Sequence, residues 1–400
     1  MSKEVSSSVP IAIVTDGLWR KSLSAIRSLG KAGYTVTVLG DSFFTTGLWS
    51  RFTRRRVFSQ TASQDSRRFG ETLMKVIDES QSSAGPPVIL PMEEASLEWI
   101  YGHEEKIKDS AHFLIPPYES FKVAKDKGAT LKLAAELGLP CPRTWEPATS
   151  QGFADQAVAL VPGSFVAKPR SGTGSAGVNY GEVQTRDQWI SHWDKFGPML
   201  IQERIPSEGV GQGVSLLIDS RGECVAAFAH QRLQQYPNSG GPSTDRQSIH
   251  APELVQWSIE LLRRLSWRGI AMVEWKLDPR DNQPKLMEIN PRFWGSLELA
   301  VRAGVDFPVL YAQAARGEKL MPTRLDYQVG VRCRWLIPGD ILRYLTQSKS
   351  RRESIGLFLK GLPVSAEEWD FRDIRGAIAS LICTAVLALN PRYWKYVRRG

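Results

Sequence analysis

Cysteine is scarce in this chain, and what there is forms no pattern. Cys141, Cys224, Cys333 and Cys383 make no CxxC pair and have no histidine cluster nearby. That excludes a cysteine zinc site and a disulfide framework, and a reducing, cytoplasmic setting is expected. Long hydrophobic runs are missing too. The longest, Ala377 to Leu389, spans 13 residues, short of the roughly 18 that read as a membrane-spanning helix. The opening MSKEVSSSVPIAIVTDG has neither a signal-peptide apolar region nor a small-residue cleavage site, so secretion is not expected. There is no internal repeat, no low-complexity tract and no order of Ser, His and Asp or reactive-cysteine context that would mark a nucleophile.

What the chain does have is core material. Its 400 residues are 42% hydrophobic and 10% aromatic, which rules out disorder and collagen-like structure and implies two to three domains or one large compound fold. The net charge of +9 is unevenly placed. Residues 321–400 hold fourteen Lys and Arg against seven Asp and Glu, so the basic excess is mainly a C-terminal property. It lacks the aromatic-interleaved platform or helix-turn-helix context of a nucleic-acid binder, and no nucleic-acid partner is expected. The last apolar stretch, Ile374 to Leu389, is flanked by Arg372, Arg375, Arg392, Lys395, Arg398 and Arg399, with Tyr393, Trp394 and Tyr396 among the last of them. This suits either a core-packed terminal helix with a solvated basic end or an interfacial helix on an anionic membrane.

The first 120 residues read as a doubly wound α/β unit. Ile11 to Thr15 and Tyr34 to Leu39 are β-branched runs around a helical stretch, Lys21 to Lys31, that Gly33 stops. A helix through Thr72 to Ser80 and strands in PPVILPMEE and AHFLIPP complete it. The first turn, TDGLWRKS, lacks the three-glycine phosphate fingerprint of a dinucleotide fold. FKVAKDKGATLKLAAELGLPCPRTW then reads as one helix and an extended linker.

The chemistry lies between residues 121 and 320. FVAKPRSGTGSAGVNYGEV spaces Gly172, Gly174 and Gly177 as GxGxxG, but Val178, Tyr180 and Val183 continue in an extended run, so a hairpin flap is expected, not a helix N-terminus. Lys168, just upstream, could place its ammonium on phosphate oxygens, or the segment could be a plain surface hairpin. GIAMVEWKLDPRDNQPKLMEINPRFWGS reads as two strands joined by a turn. Alternation puts Glu274 and Lys276 on one face, and Glu288 and Asn290 on one face. Apolar neighbours (Met272, Val273, Trp275, Met287, Ile289) argue that these carboxylates are partly buried, where acids without cations are unfavourable. Two carboxylates and an amide oxygen are hard ligands suited to Mg²⁺, with a solvated sheet face as the bland alternative.

In their order these segments resemble the ATP-grasp superfamily, especially its carbamoyl-phosphate-synthase-like, carboxylate–amine ligase branch. AKDKGATLKLAAELGLPCP is similar to the helix and linker that open the grasp fold, FVAKPRSGTGSAGV to its glycine flap, MLIQERIPSEG to its adenine hinge, and GIAMVEWK with LMEINPRFWGSLELAVRAGVDFP to its metal-binding end. The resemblance implies an N-terminal doubly wound pre-ATP-grasp domain (1–120), an ATP-grasp domain of two α+β subdomains (121–320) and a basic C-terminal extension with a terminal helix (321–400). It implies ATP with Mg²⁺, or Mn²⁺ in its place, and small-molecule carboxylate and amine substrates, and it is compatible with an oligomer. Residue by residue, Lys127 and Lys168 resemble the lysines near adenine and the phosphates. Glu203 and Ile205 fall at the hinge, Glu208 at the ribose, and Glu274, Glu288 and Asn290 at the metal, with Lys276 beside them. Arg292 resembles the arginine that stabilises the transferring phosphoryl group. The loop FAHQRLQQYPNSGGPSTDRQSI departs from the better-known ligases, and its Arg232, with His230, Gly240, Gly241 and Ser243, reads as substrate-facing or as ordinary surface. The expected function is an ATP-dependent ligase that joins an activated carboxylate to an amine. A non-catalytic ATP-binding scaffold of the same fold is the alternative.

Overall fold

The computed structural model describes residues 9–172, 176–236, 241–322, 325–341, 343 and 365–389. Gly174, Gly240, and the basic and aromatic residues from Arg392 onward lie outside that set.

The N-terminal sheet is parallel. Strand β1 (Ile11–Val14) is followed by α1 (Arg20–Lys31), β2 (Thr35–Gly40), β3 (Thr53–Phe58), α2 (Ser66–Glu79), β4 (Val88–Leu90) and α3 (Glu94–Ile107). The strand order is β3-β2-β1-β4, with Ile11 opposite Thr35 and Ala12 opposite Val88. Its central strands are apolar on both faces because helices cover both. Gly33, at φ +90°, lets the chain leave α1, and Asp65 caps α2 by accepting from the Arg68 amide. The run AHFLIPP is not a strand of its own. It makes a single bridge, His112 to Val88, since prolines 116 and 117 cannot donate to a ladder.

The segment read as one helix is two, α4 (Tyr118–Lys125) and α5 (Lys127–Glu136). Asp126 takes an extended conformation between them, and its carboxylate accepts from the Ala129 amide, so a capping residue wins over continued periodicity. Next comes a small layer built from β5 (Thr144–Trp145), α6 (Ser150–Ala159), β6 (Phe165–Pro169), α7 (Arg186–Phe196) and β7 (Met199–Glu203), with antiparallel order β5-β7-β6. The chain then forms β8 (Gly211–Ile218), β9 (Cys224–Gln235), β10 (Ser243–Ser248), α8 (Pro252–Arg264), β11 (Gly269–Asp278), β12 (Gln283–Asn290), α9 (Leu297–Arg302), α10 (Phe307–Ala315), β13 (Arg332–Arg334) and α11 (Ile374–Leu389). Strands β8 to β13 make one antiparallel sheet, ordered β12-β11-β8-β9-β10-β13.

Among the described residues three cores hold these layers. One runs continuously from β1, β2 and α1 through α9 and α10 into β8, β9, β11 and β12, so the parallel and the large antiparallel sheets share apolar packing. A second lies under α2 and α3, and a third, around Phe153, Phe165 and Trp189, belongs to the small layer alone. Among the described residues no helix is long and apolar enough to cross a membrane.

Candidate active site

The β11–β12 hairpin sets the centre of the site. Glu274 and Glu288 are direct cross-strand partners, and Asn290 stands opposite Met272. Met287 is an extra residue in the ladder, because Trp275 pairs with Leu286; such a bulge re-aims neighbouring side chains. The Asn290 amide nitrogen donates to Glu274 Oε1 (3.2 Å) and reaches Glu288 Oε1 at 3.5 Å, while Arg232 Nη2 sits 2.5 Å from Glu274 Oε2. Burial pushes the Glu274 carboxyl above its ordinary pKa; Arg232 opposes this and the adjacent Glu288 charge adds to it. Glu288 is held below the ordinary value, because Lys127 and Lys168 outweigh its burial. The pair is therefore unequal: burial prevails at Glu274 and the two lysines prevail at Glu288.

Two lysines flank Glu288. Lys127, at the start of α5, lies 3.4 Å from Glu288 Oε2 and donates to the Gly172 carbonyl at 3.0 Å, which ties the flap to the helix. Lys168, near the end of β6, is 7% exposed and donates to Gln202 Oε1 at 2.9 Å. Burial pulls its pKa down to about 8. The flap is the expected hairpin in reduced form. Ala167 and Asn179 exchange two backbone hydrogen bonds of 2.8 Å, but among the described residues no second strand extends beyond that bridge. Gly172 and Gly177 both have positive φ, at +121° and +75°.

The hinge residues gather elsewhere. The Glu203 carboxylate accepts from the Arg143 amide (3.1 Å) and Nε (3.3 Å), Ile205 is buried with its carbonyl accepting from Lys276 Nζ (3.3 Å), and Glu208 is exposed. Lys276 thus joins the hinge, two residues along the strand from Glu274. Arg292 faces the opposite way. It is 3.5 Å from Glu94 and 4.0 Å from Glu93, at the start of α3, and donates to the Phe293 carbonyl at 3.0 Å. Burial lowers its pKa, but Glu93 and Glu94 more than restore it.

Between these groups lies a cavity of about 740 Å³. Glu274, Glu288, Asn290, Arg292, Arg232 and Gly172 line it, together with Asp16 and Asp41, from the loops after β1 and β2, and Lys21, in the first turn of α1. None of the hinge residues lines it. His230 also borders it, buried, its Nε2 3.2 Å from Ser296 Oγ; burial lowers its pKa to about 3, which keeps the ring neutral.

Residues 195–336 match the family model described as ATP-grasp in the biosynthetic pathway with Ter operon. The solved biotin carboxylase domain of Hydrogenobacter thermophilus 2-oxoglutarate carboxylase superposes with a TM-score of 0.63 at 12% identity, over 80% of this chain and 73% of that one. Staphylococcus aureus N5-carboxyaminoimidazole synthetase superposes with a TM-score of 0.59 at 14% identity, over 81% and 80%. None of the curated proteins matches the chain in sequence. The fold is the ATP-grasp fold.

Sequence reasoning passed over the acids and lysine of the α/β end. Asp16 sits at φ +52° and accepts from Thr15 Oγ1 and Ser96 Oγ, both at 2.6 Å. Burial, then the charge of Glu93, raises its pKa to about 6. Lys21 lies 2.7 Å from Glu93 and donates to the Phe293 carbonyl at 3.0 Å, with its pKa drawn down to about 8 by burial and then Arg292. One signal was available. TDGLWRKS follows β1 and PMEE follows β4, and strands on either side of a reversal in sheet order are where α/β sheets place ligands.

Proposed function

We propose that this chain is an ATP-dependent ligase that phosphorylates a carboxylate to an acyl phosphate, which an amine or similar nucleophile then attacks, releasing ADP and phosphate. The observation that carries this reading is the cross-strand Glu274–Glu288 pair, partly buried, flanked by lysines and open to a cavity of about 740 Å³ that the hinge residues do not line. A nucleotide at the hinge and a second substrate in the cavity would meet at that pair. The superposed carboxylase domain was solved with MgADP and bicarbonate, which supports the nucleotide, the ion and carboxylate-type chemistry. The boundaries near residues 120 and 320 belong to the same proposal.

The donor set suits Mg²⁺ or Mn²⁺. Among the described residues no group of three or more His, Cys, Asp or Glu could hold an ion. Two carboxylates and the Asn290 oxygen match an ion whose remaining ligands are phosphates and water. The ion would neutralise charge on the phosphates during transfer. The protein's own part is positioning and charge. Glu203 and Ile205 would offer backbone groups to adenine, Glu208 would hold the ribose, and Lys276 would brace the hinge. Lys127, Lys168 and the flap glycines Gly172, Gly174 and Gly177 would hold the phosphates. Arg292 and Arg232 would stabilise the acyl phosphate, Arg292 oriented by Glu93 and Glu94. No covalent residue is required.

Glu288→Ala tests the proposal. ADP release with a panel of carboxylates and amines should disappear in the variant while the fold is kept, because Glu274 loses a like-charged neighbour as Lys127 and Lys168 lose a partner; circular dichroism checks the fold. Undiminished turnover would overturn the ligase assignment. ATP binding by the parent protein without ADP release across the panel would favour the scaffold reading.

A further inference from the structure

The terminal helix is fixed at its start and bare along one side. Asp373, fully buried just before α11, accepts from Arg27 Nε (2.9 Å), Ser50 Oγ (2.8 Å) and the Arg51 amide (2.8 Å). Ala377 and Cys383 face inward, and Cys383 meets Thr46 in the turn Thr46–Trp49. The outward face holds Ile374, Ile378 and Ile382, at 54%, 48% and 53% exposure, in line at successive helical turns, and Leu389 continues it. Phe371, just before the helix, is 93% exposed. From Gly376 to Asn390 no residue is charged. A soluble surface helix normally turns a polar face outward, and a contiguous exposed apolar strip of this kind marks a contact site.

We propose that this face of α11 is an anchoring surface for an anionic lipid bilayer, with the helix lying in the plane of the membrane. Charge decides the occupant. Arg372 and Arg375 at the near end are exposed, and Arg392, Lys395, Arg398 and Arg399 follow the far end, interspersed with Tyr393, Trp394 and Tyr396. Exposed Arg372 and Arg375 beside an apolar strip, with further cations and interfacial aromatics next in the sequence, suit anionic headgroups over acyl chains. A second copy of this chain would bring the same cations face to face, which is unfavourable. The 16-residue helix is about 24 Å long at 1.5 Å per residue, too short to span the roughly 30 Å hydrocarbon layer but enough to lie along its surface.

The test is co-sedimentation of the full chain with vesicles of phosphatidylcholine alone or mixed with phosphatidylglycerol. Binding is expected to the mixed vesicles, to weaken as salt rises, and to fall by about tenfold or more in Ile378→Glu/Ile382→Glu, whose altered positions are already exposed. Melting temperature and ADP release should stay at parent values. Absence of binding to the mixed vesicles, or equal binding by parent and variant, overturns the proposal. So does a parent dimer that the double variant turns into a monomer, which would make the face a self-association surface. A lowered melting temperature in the variant would mean that the chain itself covers the strip, and would overturn it equally.

Discussion

Residues at the α/β end of the cavity carry the clearest pH signature. Asp16 has a folded pKa of about 6 against an ordinary value of 3.8, so between those values the folded protein holds a proton that the unfolded chain has released. The resulting stability is fully present below pH 3.8 and is lost as pH rises through 6. Asp16→Asn keeps an acceptor for Thr15 and Ser96 and cannot ionise. Its stability should fall less steeply between pH 4 and 6, and at pH 7 it should exceed the parent by up to about 3 kcal/mol. Chemical denaturation across that range checks this; parallel parent and variant curves would refute it. Glu274 and Glu288 show the same physics at the cross-strand pair, where two partly buried carboxylates are tolerated because Arg232 supports one and two lysines support the other.

Among the elements, the flap and the acidic hairpin differ in how much of them is local. The hairpin is local: the Asn282 amide donates to the Asp278 carbonyl at 2.8 Å, Asn282 adopts φ +56°, and alternation does the rest. The flap depends on what lies behind it. A methyl group at Gly177 would come within 2.8 Å of Phe196 and Pro169, in a backbone conformation that side chains avoid, whereas one at Gly172 would meet nothing within 4 Å. Gly177→Ala should therefore cost roughly 1–3 kcal/mol and raise the KM for ATP, while Gly172→Ala costs only the backbone strain. Melting curves and ATP titrations of the two variants make the comparison; equal effects would mean that packing behind the flap is unimportant.

For the molecule as a whole, the stretch beyond residue 320 is more than a basic tail. Strand β13 completes the large sheet, and the acids of 365–373 reach back into the rest of the chain. Glu367, 4% exposed, holds Arg20 at 2.8 Å and also binds Arg246, while Asp373 holds Arg27. Arg20 borders the cavity and lies over the Trp335 ring at 4.3 Å. Removing one partner from such a buried cluster strands the others, so Glu367→Ala should destabilise by about 3–5 kcal/mol. Urea unfolding measures it, and a change below about 1 kcal/mol would show that the cluster rearranges without loss.

The sequence by itself determined the βαβ opening, the glycine turn of the flap, the acidic hairpin and the Glu–Lys–Glu–Asn pattern, because all of these follow from spacing within a few residues. Tertiary structure decided which of them meet. Lys276, adjacent in pattern to Glu274, reaches the hinge; Arg292 is bound by Glu93 and Glu94 from about 200 positions earlier. The same holds for the scarce and scattered features. Cys141, Cys224, Cys333 and Cys383 remain free thiols, and the short apolar run that cannot span a membrane becomes a helix with one buried and one bare face. Periodicity makes a helix, but only the packing of α11 on Thr46–Trp49 determines which side is left uncovered.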